Sequence, residues 1–424
     1  MSVLDDAVIS RRQVLQGAGG LLAATMLGGI VGCGSSSGSG DTTTVSAWIY
    51  RPEYREAITK ILDEFHKAHP DITVDMAYKP TGQYPTILKT ALVGGSGPDA
   101  IATNGANGIW GDLGADGGYI TPLDGKIDVD ALSSAARNAV TYKGHVYGAP
   151  VQMFRIGVYY QKPIFQKYGL QEPRTWDELT ALSKKLADNG VEAWSMPAQD
   201  MIIPFFFYHL AVNSILGKDS EKALASGQVK LTDPNLVRAA QYMVDMSKYF
   251  NKGFQAVAYA EGKALFAQGR TAMTIGGSSD YAGYVEVDPN VDVGFFGFPS
   301  PSGEMPPNAL NGLSMAYSVN AKAKDKAAAT TFVSWLDTKP AQEIVLANLG
   351  LPAIDGLRPT GDTPRDKVLS TILSVDDTPS WLDFPATGST MTAAMQDGGG
   401  VFTGKLSAEQ FAAVVQKSIT PTAG

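Results

Sequence analysis

The sequence predicts an α/β fold built on doubly wound sheets. Between residues 44 and 102, segments of strand character alternate with segments whose apolar residues recur at helical spacing, in the order strand, helix, strand, helix, strand. A second α/β region begins at Val151. Sheets of this kind bind ligands at the carboxyl ends of their strands, so we expect a site in the loops that follow the first three strands.

The first region contains three predicted strands and two predicted helices. Apolar residues recur at helical spacing from Ile58 to Phe65, and Pro52 suits the first turn of that helix. Gly94 and Gly95 are expected to end the second helix. The predicted strands cover residues 44–50, 72–76 and 99–102, and the helices run from 52 to before 70 and from 83 to 93.

The second region opens with a β-rich run at residues 151–160. Thr175 is placed to cap the helix that follows, and Glu178 stands three residues on, as a capping box requires. A short helix that feeds a strand is expected between Glu261 and Met273. Further helices are predicted near residues 234–251, 324–336, 340–349 and 407–418, with a strand at 291–298.

Composition excludes several classes of function. The chain has 424 residues, 44% of them hydrophobic and 18% charged, and a formal net charge of -8. These values are ordinary for a globular protein, and no Lys/Arg cluster suggests binding to nucleic acid. With Cys33 as its one cysteine, the chain cannot form an intrachain disulfide.

The N-terminal region is predicted to be an export signal, not part of the fold. Arg11 and Arg12 form a twin-arginine pattern, and an uncharged, Gly- and Ala-rich stretch leads to Cys33. The alternative is a buried thiol after a poor transmembrane helix, which the Ser/Gly tract behind Cys33 disfavours. We therefore expect a signal peptide at 1–32 and a lipid-anchored flexible tether at 33–43, with lipid on Cys33.

Three consecutive motifs carry a family resemblance. The order is G-x-x-Y-G-x-P from Gly144, Y-Y-x-K-x-x-F-x-K-Y-G-L from Tyr159, and P-x-T-W-D-E-L from Pro173. This segment resembles the bacterial extracellular solute-binding proteins, family 1, of carbohydrate ABC importers. The resemblance implies a two-lobe fold of the type II periplasmic binding protein class, with a doubly wound sheet in each lobe, a hinge and a central ligand cleft. It also implies a sugar ligand and permease subunits as membrane partners.

The resemblance further implies where the chain changes lobe. The first crossing follows residue 150, the return lies near 293, and the last crossing lies near 338. The expected first lobe comprises 44–150 and 294–338, and the expected second lobe comprises 151–293 and 339–424. The resemblance covers about residues 44 to 355.

Candidate ligand residues in the first lobe follow from the needs of a sugar. A sugar offers an apolar face and a rim of hydroxyls, which aromatic plates and fixed polar groups can bind. The alternatives are strand packing for Trp48, surface positions for Tyr50 and Arg51, and turn formation for Asn104. The predicted contacts in this lobe are Trp48, Tyr50, Arg51, Gln83, Asn104 and Trp110.

Candidates in the second lobe follow the same logic. A buried Arg155 would need a partner or a ligand, whereas Phe154 has a core alternative. The family usually carries a tryptophan after the strand that ends near residue 277; Ser278 and Asp280 stand in that loop here and would supply a polar contact instead. The predicted contacts in this lobe are Phe154, Arg155, Asp200, Ser278, Asp280 and Trp381.

Motifs for catalysis or metal binding are weak. His66 and His69 have a spacing that a metal could use, but they lie at a helix end without clustered ligands, so we expect no metal. The G-x-S-x-G at residues 34–38 is low-complexity tether, not a nucleophile elbow, and no phosphate-binding glycine loop is present, so no cofactor is expected.

The sequence therefore predicts a monomeric, lipid-anchored binding protein on the outer face of the cytoplasmic membrane, without enzymatic activity. It would capture a sugar or oligosaccharide for an ABC importer. The alternatives are a secreted carbohydrate-active enzyme, which needs two facing carboxylates, and a binding protein for a polyol or a glycerol-phosphate-type solute. Glycerol phosphate would need more Arg and Lys at the cleft than the sequence places there.

Overall fold

A computed structural model describes residues 42–103, 113–114, 116–379, 395–417 and 419. Residues 41–424 form one compact unit. The predicted signal peptide, the predicted lipidation site Cys33 and the predicted tether up to residue 41 lie outside the described residues, as do Asn104, Trp110 and Trp381.

Strands alternate with helices along the chain, which confirms the predicted α/β class. The strands are β1 (Thr43–Ile49), β2 (Ile72–Tyr78), β3 (Ala100–Thr103), β4 (Ile120–Thr121), β5 (Thr141–Tyr142), β6 (His145–Val146), β7 (Ala149–Gln161), β8 (Glu192–Ser195), β9 (Thr271–Gly277), β10 (Val293–Phe296), β11 (Asn308–Asn320) and β12 (Asp376–Pro379). All except β5 and β6 belong to one mixed sheet.

The helices pack on the faces of this sheet. They are α1 (Arg55–Ala68), α2 (Tyr84–Val93), α3 (Ser134–Val140), α4 (Lys162–Lys167), α5 (Trp176–Asp188), α6 (Ile202–Leu216), α7 (Ser220–Ala225), α8 (Pro234–Met246), α9 (Tyr259–Ala267), α10 (Asp280–Val287), α11 (Lys326–Trp335), α12 (Lys339–Asn348), α13 (Pro364–Ser374) and α14 (Ala408–Gln416). Short 3₁₀ turns, such as Pro52–Tyr54 before α1, connect several of them.

Local sequence signals explain where several elements begin. The Thr175 hydroxyl accepts a hydrogen bond from the Glu178 N–H, so the predicted cap of α5 is confirmed. The Glu178 carboxylate, however, accepts from the Arg174 N–H at 2.7 Å and not from Thr175, so the predicted reciprocal half of the capping box is wrong. The helix predicted from Pro52 begins with a 3₁₀ turn and becomes α-helical at Arg55.

Two long strands join the two halves of the sheet. The strand order is β2-β1-β3-β11-β7-β9-β8, and β1 pairs in parallel with both β2 and β3. The first half of β7 pairs with β11, whereas its second half pairs with β9 and β10. The register between β7 and β11 shifts around Met315, a bulge that lets the strands bend and twist. The predicted strand at 151–160 is therefore confirmed, and the lobe crossing expected there stays a prediction.

Buried side chains form two hydrophobic cores. The first core joins α1, α11 and α12 to β1 and β3 through residues such as Ile58, Phe332 and Val345, and it also includes Phe266 and Tyr284 from later in the chain. The second core joins α5, α6, α8 and α14 to β8 and β9. Both cores contain residues of β7, so this strand is buried on both faces, as a central strand should be.

Helix α12 packs beside the beginning of β7 through a buried amide. Gln342 is fully buried; its Nε2 donates to the carbonyls of Pro150, Val151 and Leu336, and its Oε1 accepts from the Ala353 N–H at 2.6 Å. Helix α12 also packs on α1. The expected assignment of residues after 338 to the second lobe separates α12 from α1, Pro150 and Leu336, which the same limits place in the first lobe, and the lobe boundaries stay a prediction.

Asp337 gives stability a pH dependence. Its side chain is buried after α11, with Oδ2 accepting from the Asp128 N–H at 2.9 Å, and burial raises the pKa of Asp337 to about 6. The unfolded chain has the ordinary value of about 3.9. The folded state therefore binds the proton more tightly, and stability falls as pH rises through the interval between these values.

Asp337→Asn keeps an oxygen that can accept from Asp128 and removes the charge. We expect the variant to be more stable than the parent at pH 7.5, by up to about 3 kcal/mol, and the gain to shrink as pH falls from 6 towards 4. Urea unfolding at several pH values measures this. Asp362→Asn is the control, because the side chain of Asp362 is 92% exposed. A gain in stability that did not depend on pH would contradict the raised pKa of Asp337.

Candidate ligand site

A cavity of about 380 Å³ lies at the carboxyl ends of β1 and β3, beside the start of α2. We call it the Tyr50 pocket. Its position agrees with the carboxyl-end rule, because β1, β2 and β3 are parallel neighbours whose ends meet at one edge of the sheet. It is lined by Tyr50, Arg51, Thr81, Tyr84, Pro85, Leu88, Lys89, Ala102, Thr103, Leu113 and Tyr119.

Two tyrosine rings form one wall of the Tyr50 pocket. The rings of Tyr50 and Tyr84 lie 5.2 Å apart at 35°. The Tyr50 hydroxyl donates to the Ser314 carbonyl and the Tyr84 hydroxyl to the Ala102 carbonyl, both at 2.7 Å. Burial raises the pKa of Tyr50 to about 12, so the hydroxyl stays protonated. These bonds fix the rings and leave their apolar faces as contact surface.

Arg51 supplies a cation at the edge of this wall. Its guanidinium carbon lies 5.3 Å from the ring centroid of Tyr50 and 5.7 Å from that of Tyr54. Nη1 lies 3.4 Å from Glu53 Oε1, but the Glu53 side chain is 53% exposed, so this ion pair is weak. Nε is buried and has no hydrogen-bond partner in the described structure. The guanidinium therefore retains donor capacity.

Thr103 adds a buried hydroxyl. It is the last residue of β3 and only 2% exposed, and its Oγ1 has no hydrogen-bond partner within the described residues. A buried hydroxyl without a partner is costly unless a ligand or water completes it. The Thr81 hydroxyl, by contrast, already donates to the Tyr50 carbonyl. Thr103 is thus the lining hydroxyl that most needs an external partner.

Sequence reasoning found two lining residues of the Tyr50 pocket, Tyr50 and Arg51. It missed Thr81, Tyr84, Lys89, Thr103 and Tyr119. The carboxyl-end rule could have named Thr81 and Thr103, since they follow or close predicted strands. Tyr84, Lys89 and Tyr119 reach the pocket only through the packing of α2 and the segment before β4.

Two other candidates of the first lobe, Trp48 and Gln83, are not among the described residues that line this pocket. Trp48 is partly buried on β1, with Lys79 Nζ 4.2 Å from its ring centroid. Gln83 is exposed in the 3₁₀ turn Thr81–Gln83. Asn104 and Trp110 lie outside the described residues.

Arg155, a predicted ligand residue on β7, contacts the end of a helix. Its Nη1 donates to the carbonyls of Ile372, Leu373 and Val375 at 3.1, 3.2 and 3.0 Å. These carbonyls lie at the C-terminus of α13, where a cation is favourable because of the helix dipole and the unpaired C=O groups. This part of the guanidinium therefore holds α13 against the central strand.

Ser278 and Asp280 shape the loop after β9. Ser278 exchanges two hydrogen bonds with the backbone of Arg155: its N–H donates to the carbonyl at 2.8 Å, and its hydroxyl accepts from the N–H at 3.3 Å. Asp280 is 8% exposed and accepts from the Gly277 N–H at 2.7 Å, the Tyr259 hydroxyl at 2.6 Å and Lys263 Nζ at 3.2 Å. Both side chains are occupied by protein donors, and their contact with a ligand stays a prediction.

The structure also describes two further second-lobe candidates, Phe154 and Asp200. Phe154 is partly buried and packs against the second core. Asp200 is exposed before α6, where its Oδ1 accepts from the Ile202 N–H at 3.3 Å. Met201 between them has a φ of 62°, a left-handed conformation that is uncommon for a residue with a side chain. Trp381 lies outside the described residues.

Comparison with known proteins identifies the family. The family model for bacterial extracellular solute-binding proteins matches residues 51–343. The chain belongs to this family. The solute-binding protein is 25% identical over 351 residues to the multiple sugar-binding protein of Streptococcus mutans, a match that spans 78% of this chain and 80% of that one. It is 23% identical over 282 residues to the melibiose/raffinose/stachyose-binding protein of Bacillus subtilis, spanning 63% and 65%.

Solved structures show the same fold. The structure of RafE from Streptococcus pneumoniae aligns with a TM-score of 0.73 at 20% identity, over 91% of this chain and 100% of that one. The fold predicted from the motifs is therefore confirmed. In the described part of the solute-binding protein, none of the helices is both long and apolar enough to cross a bilayer. The same residues contain no group of three or more His, Cys, Asp and Glu side chains that could hold a metal ion.

Asp280→Ala tests the structural role of this carboxylate. The substitution leaves Lys263, Tyr259 and the Gly277 N–H without their acceptor, so we expect the free energy of unfolding to fall by about 3 kcal/mol. Denaturant unfolding measures the change. Asp292→Ala removes a carboxylate that pairs with Lys162 at the surface and should cost less than about 1 kcal/mol. Equal losses in the two variants would contradict the role given to Asp280.

Proposed function

We propose that the protein is the substrate-binding component of an ABC importer, which captures a sugar or oligosaccharide outside the cytoplasm and delivers it to a permease. The observation that carries this proposal is the family match over residues 51–343. Relatives named for multiple sugars and for melibiose, raffinose and stachyose support a carbohydrate as the ligand class. The Tyr50 pocket adds aromatic faces and polar donors, the groups that a sugar ring needs.

Ligand capture would work by closure of two lobes. Strands β7 and β11 connect the two halves of the sheet and are the natural place for the hinge. Contacts that form only when both lobes meet the ligand would shift the open–closed equilibrium towards the closed form. We keep the lobe limits inferred from the sequence, with one change: α12 is proposed to move with the first lobe, because it packs on α1 and Gln342 bonds to Pro150 and Leu336.

The location follows from the N-terminal sequence. We propose export through the twin-arginine signal, cleavage before Cys33 and attachment of lipid to that cysteine. The Ser/Gly tract would then act as a tether on the outer face of the cytoplasmic membrane. The protein would act there as a monomer and release its ligand to the permease without chemical change.

A ligand panel tests the proposal on the chain from residue 41 onward. Thermal unfolding would be followed with mono-, di- and trisaccharides, polyols, glycerol phosphate and amino acids. A ligand at 100 times its Kd stabilises by about 2.7 kcal/mol, a clear rise in Tm. We expect one class of sugar to raise Tm and to be recovered intact at stoichiometric protein. Recovery of cleaved sugar would show that the protein is an enzyme. If no sugar raised Tm, the carbohydrate assignment would be refuted.

Thr103→Val tests whether the Tyr50 pocket is the ligand site. The substitution removes a buried hydroxyl that has no partner, so the free energy of unfolding should stay equal or rise slightly. Affinity for the ligand should fall by about fivefold to tenfold, the worth of one hydrogen bond. Isothermal titration calorimetry and urea unfolding measure the two effects.

Thr271→Val is the matched control for Thr103→Val. Thr271 also has a buried hydroxyl without a partner in the described structure, but it lies on β9, away from the Tyr50 pocket. Its substitution should change stability in the same way and leave affinity unchanged. If both variants kept full affinity, the ligand would bind elsewhere.

A further inference from the structure

The charged residues of the Tyr50 pocket are all of one sign. Among its described lining residues, Arg51 and Lys89 are cationic, and neither Asp nor Glu is present. Lys89 lies on α2 and has no ion-pair partner within 4 Å in the described structure. Arg51 has the half-exposed Glu53 as its only described carboxylate partner, at 3.4 Å. The lining therefore carries positive charge that the surrounding side chains balance only weakly.

The hydroxyl groups of the pocket add mainly acceptor oxygens. The hydroxyl protons of Tyr50, Tyr84 and Thr81 are already given to backbone carbonyls, so these oxygens can only accept from a ligand. The Thr103 hydroxyl has no partner in the described structure. Arg51 and Lys89 can only donate. The described lining side chains therefore offer hydroxyl oxygens to the hydroxyls of a sugar and cationic donors to an anionic group.

A lining that carries positive charge complements an anionic oxygen group. A neutral sugar can donate to the hydroxyl oxygens of this wall, but it has no charge to offset that of Arg51 and Lys89. A carboxylate or phosphate accepts only, and guanidinium binds either with charge-assisted hydrogen bonds. Tyr50, Tyr84 and Leu88 would still provide an apolar surface for a sugar ring.

We propose that the Tyr50 pocket binds an acidic saccharide, a sugar that carries a carboxylate or phosphate group, with Arg51 and Lys89 holding the anionic group. This inference rests on the proposed function and names the substrate class of the same site. It reverses the expectation from the sequence that too few cations reach the cleft for an anionic solute. Lys89, which the sequence analysis did not assign to the site, makes the difference.

The test compares acids with their neutral parents. Binding of glucose, glucuronate and glucose 6-phosphate, and of galactose and galacturonate, would be measured by isothermal titration calorimetry with the chain from residue 41 onward. The disaccharides of galacturonate and of galactose would be included. We expect at least one acid to bind tenfold or more tightly than its neutral parent. The preference should weaken as salt rises from 20 to 500 mM, because salt screens charge.

Charge-removing variants locate the preference. Arg51→Gln and Lys89→Gln should each lower affinity for the acid by about tenfold and change affinity for the neutral parent by less than threefold. Lys79→Gln is the matched control. It removes the same charge near the same edge of the sheet, and Lys79 is not among the described residues that line the pocket. It should leave the preference for the acid intact. Comparison of glucuronate with glucose 6-phosphate shows whether the carboxylate or the phosphate is the anionic group that binds.

Three outcomes would overturn the inference. Neutral sugars that bind as tightly as their acids would refute it and leave the proposed function standing. If the variants lowered affinity for the acids and for their neutral parents equally, Arg51 and Lys89 would not be responsible for a preference for the anionic group. Failure of every saccharide, acidic or neutral, to bind would refute the proposed function and this inference with it.

Discussion

The antiparallel pairing of β7 with β11 is the constraint on which the rest of the structure depends. Strands β1, β2, β3, β4 and β12 reach the sheet through β11, whereas β8, β9 and β10 reach it through β7. One ladder, with its bulge at Met315, therefore sets how the two halves of the described sheet face each other. The groups that hold β7 in place lie far apart in sequence: the Gln342 amide at its beginning and the loop after β9 beside its centre. The proposed hinge lies on this pair.

Polar groups in the described structure divide into those with protein partners and those with weak partners or none. The Arg155 guanidinium donates to backbone carbonyls, whereas the Ser278 hydroxyl and the Asp280 carboxylate accept from backbone N–H groups. These bonds hold β7, α13 and the loop after β9 together. Arg51, Lys89 and Thr103 have donors with weak partners or none in the described structure, at one end of a parallel sheet. Buried polar groups without partners are costly to folding, which is why they mark the part of a protein that an external molecule completes.

Residue type alone could not distinguish these two roles. Arg155 and Arg51 both follow apolar strand residues, and Asp280 follows a strand as a ligand-binding carboxylate would. The difference lies in their neighbours: the carbonyls at the end of α13 surround Arg155, and Lys263 and Tyr259 surround Asp280. Helix α13 is more than 200 residues away from Arg155 in the chain. No local pattern reports such a contact.

By itself, the sequence determined the α/β class, the order of strands and helices, the cap of α5 and the family. It could do so because alternation, helical spacing and capping act within a few residues, and the motifs around Tyr159 and Trp176 are contiguous. It also indicated the edge of the sheet where Tyr50 and Arg51 lie, since the carboxyl ends of parallel strands meet. Tertiary structure alone decided that Lys89, Tyr84 and Tyr119 share a pocket with them, and that Arg155 and Asp280 have protein partners. These outcomes depend on which distant backbone carbonyls and charges come within hydrogen-bond reach, and packing, not local sequence, sets that distance.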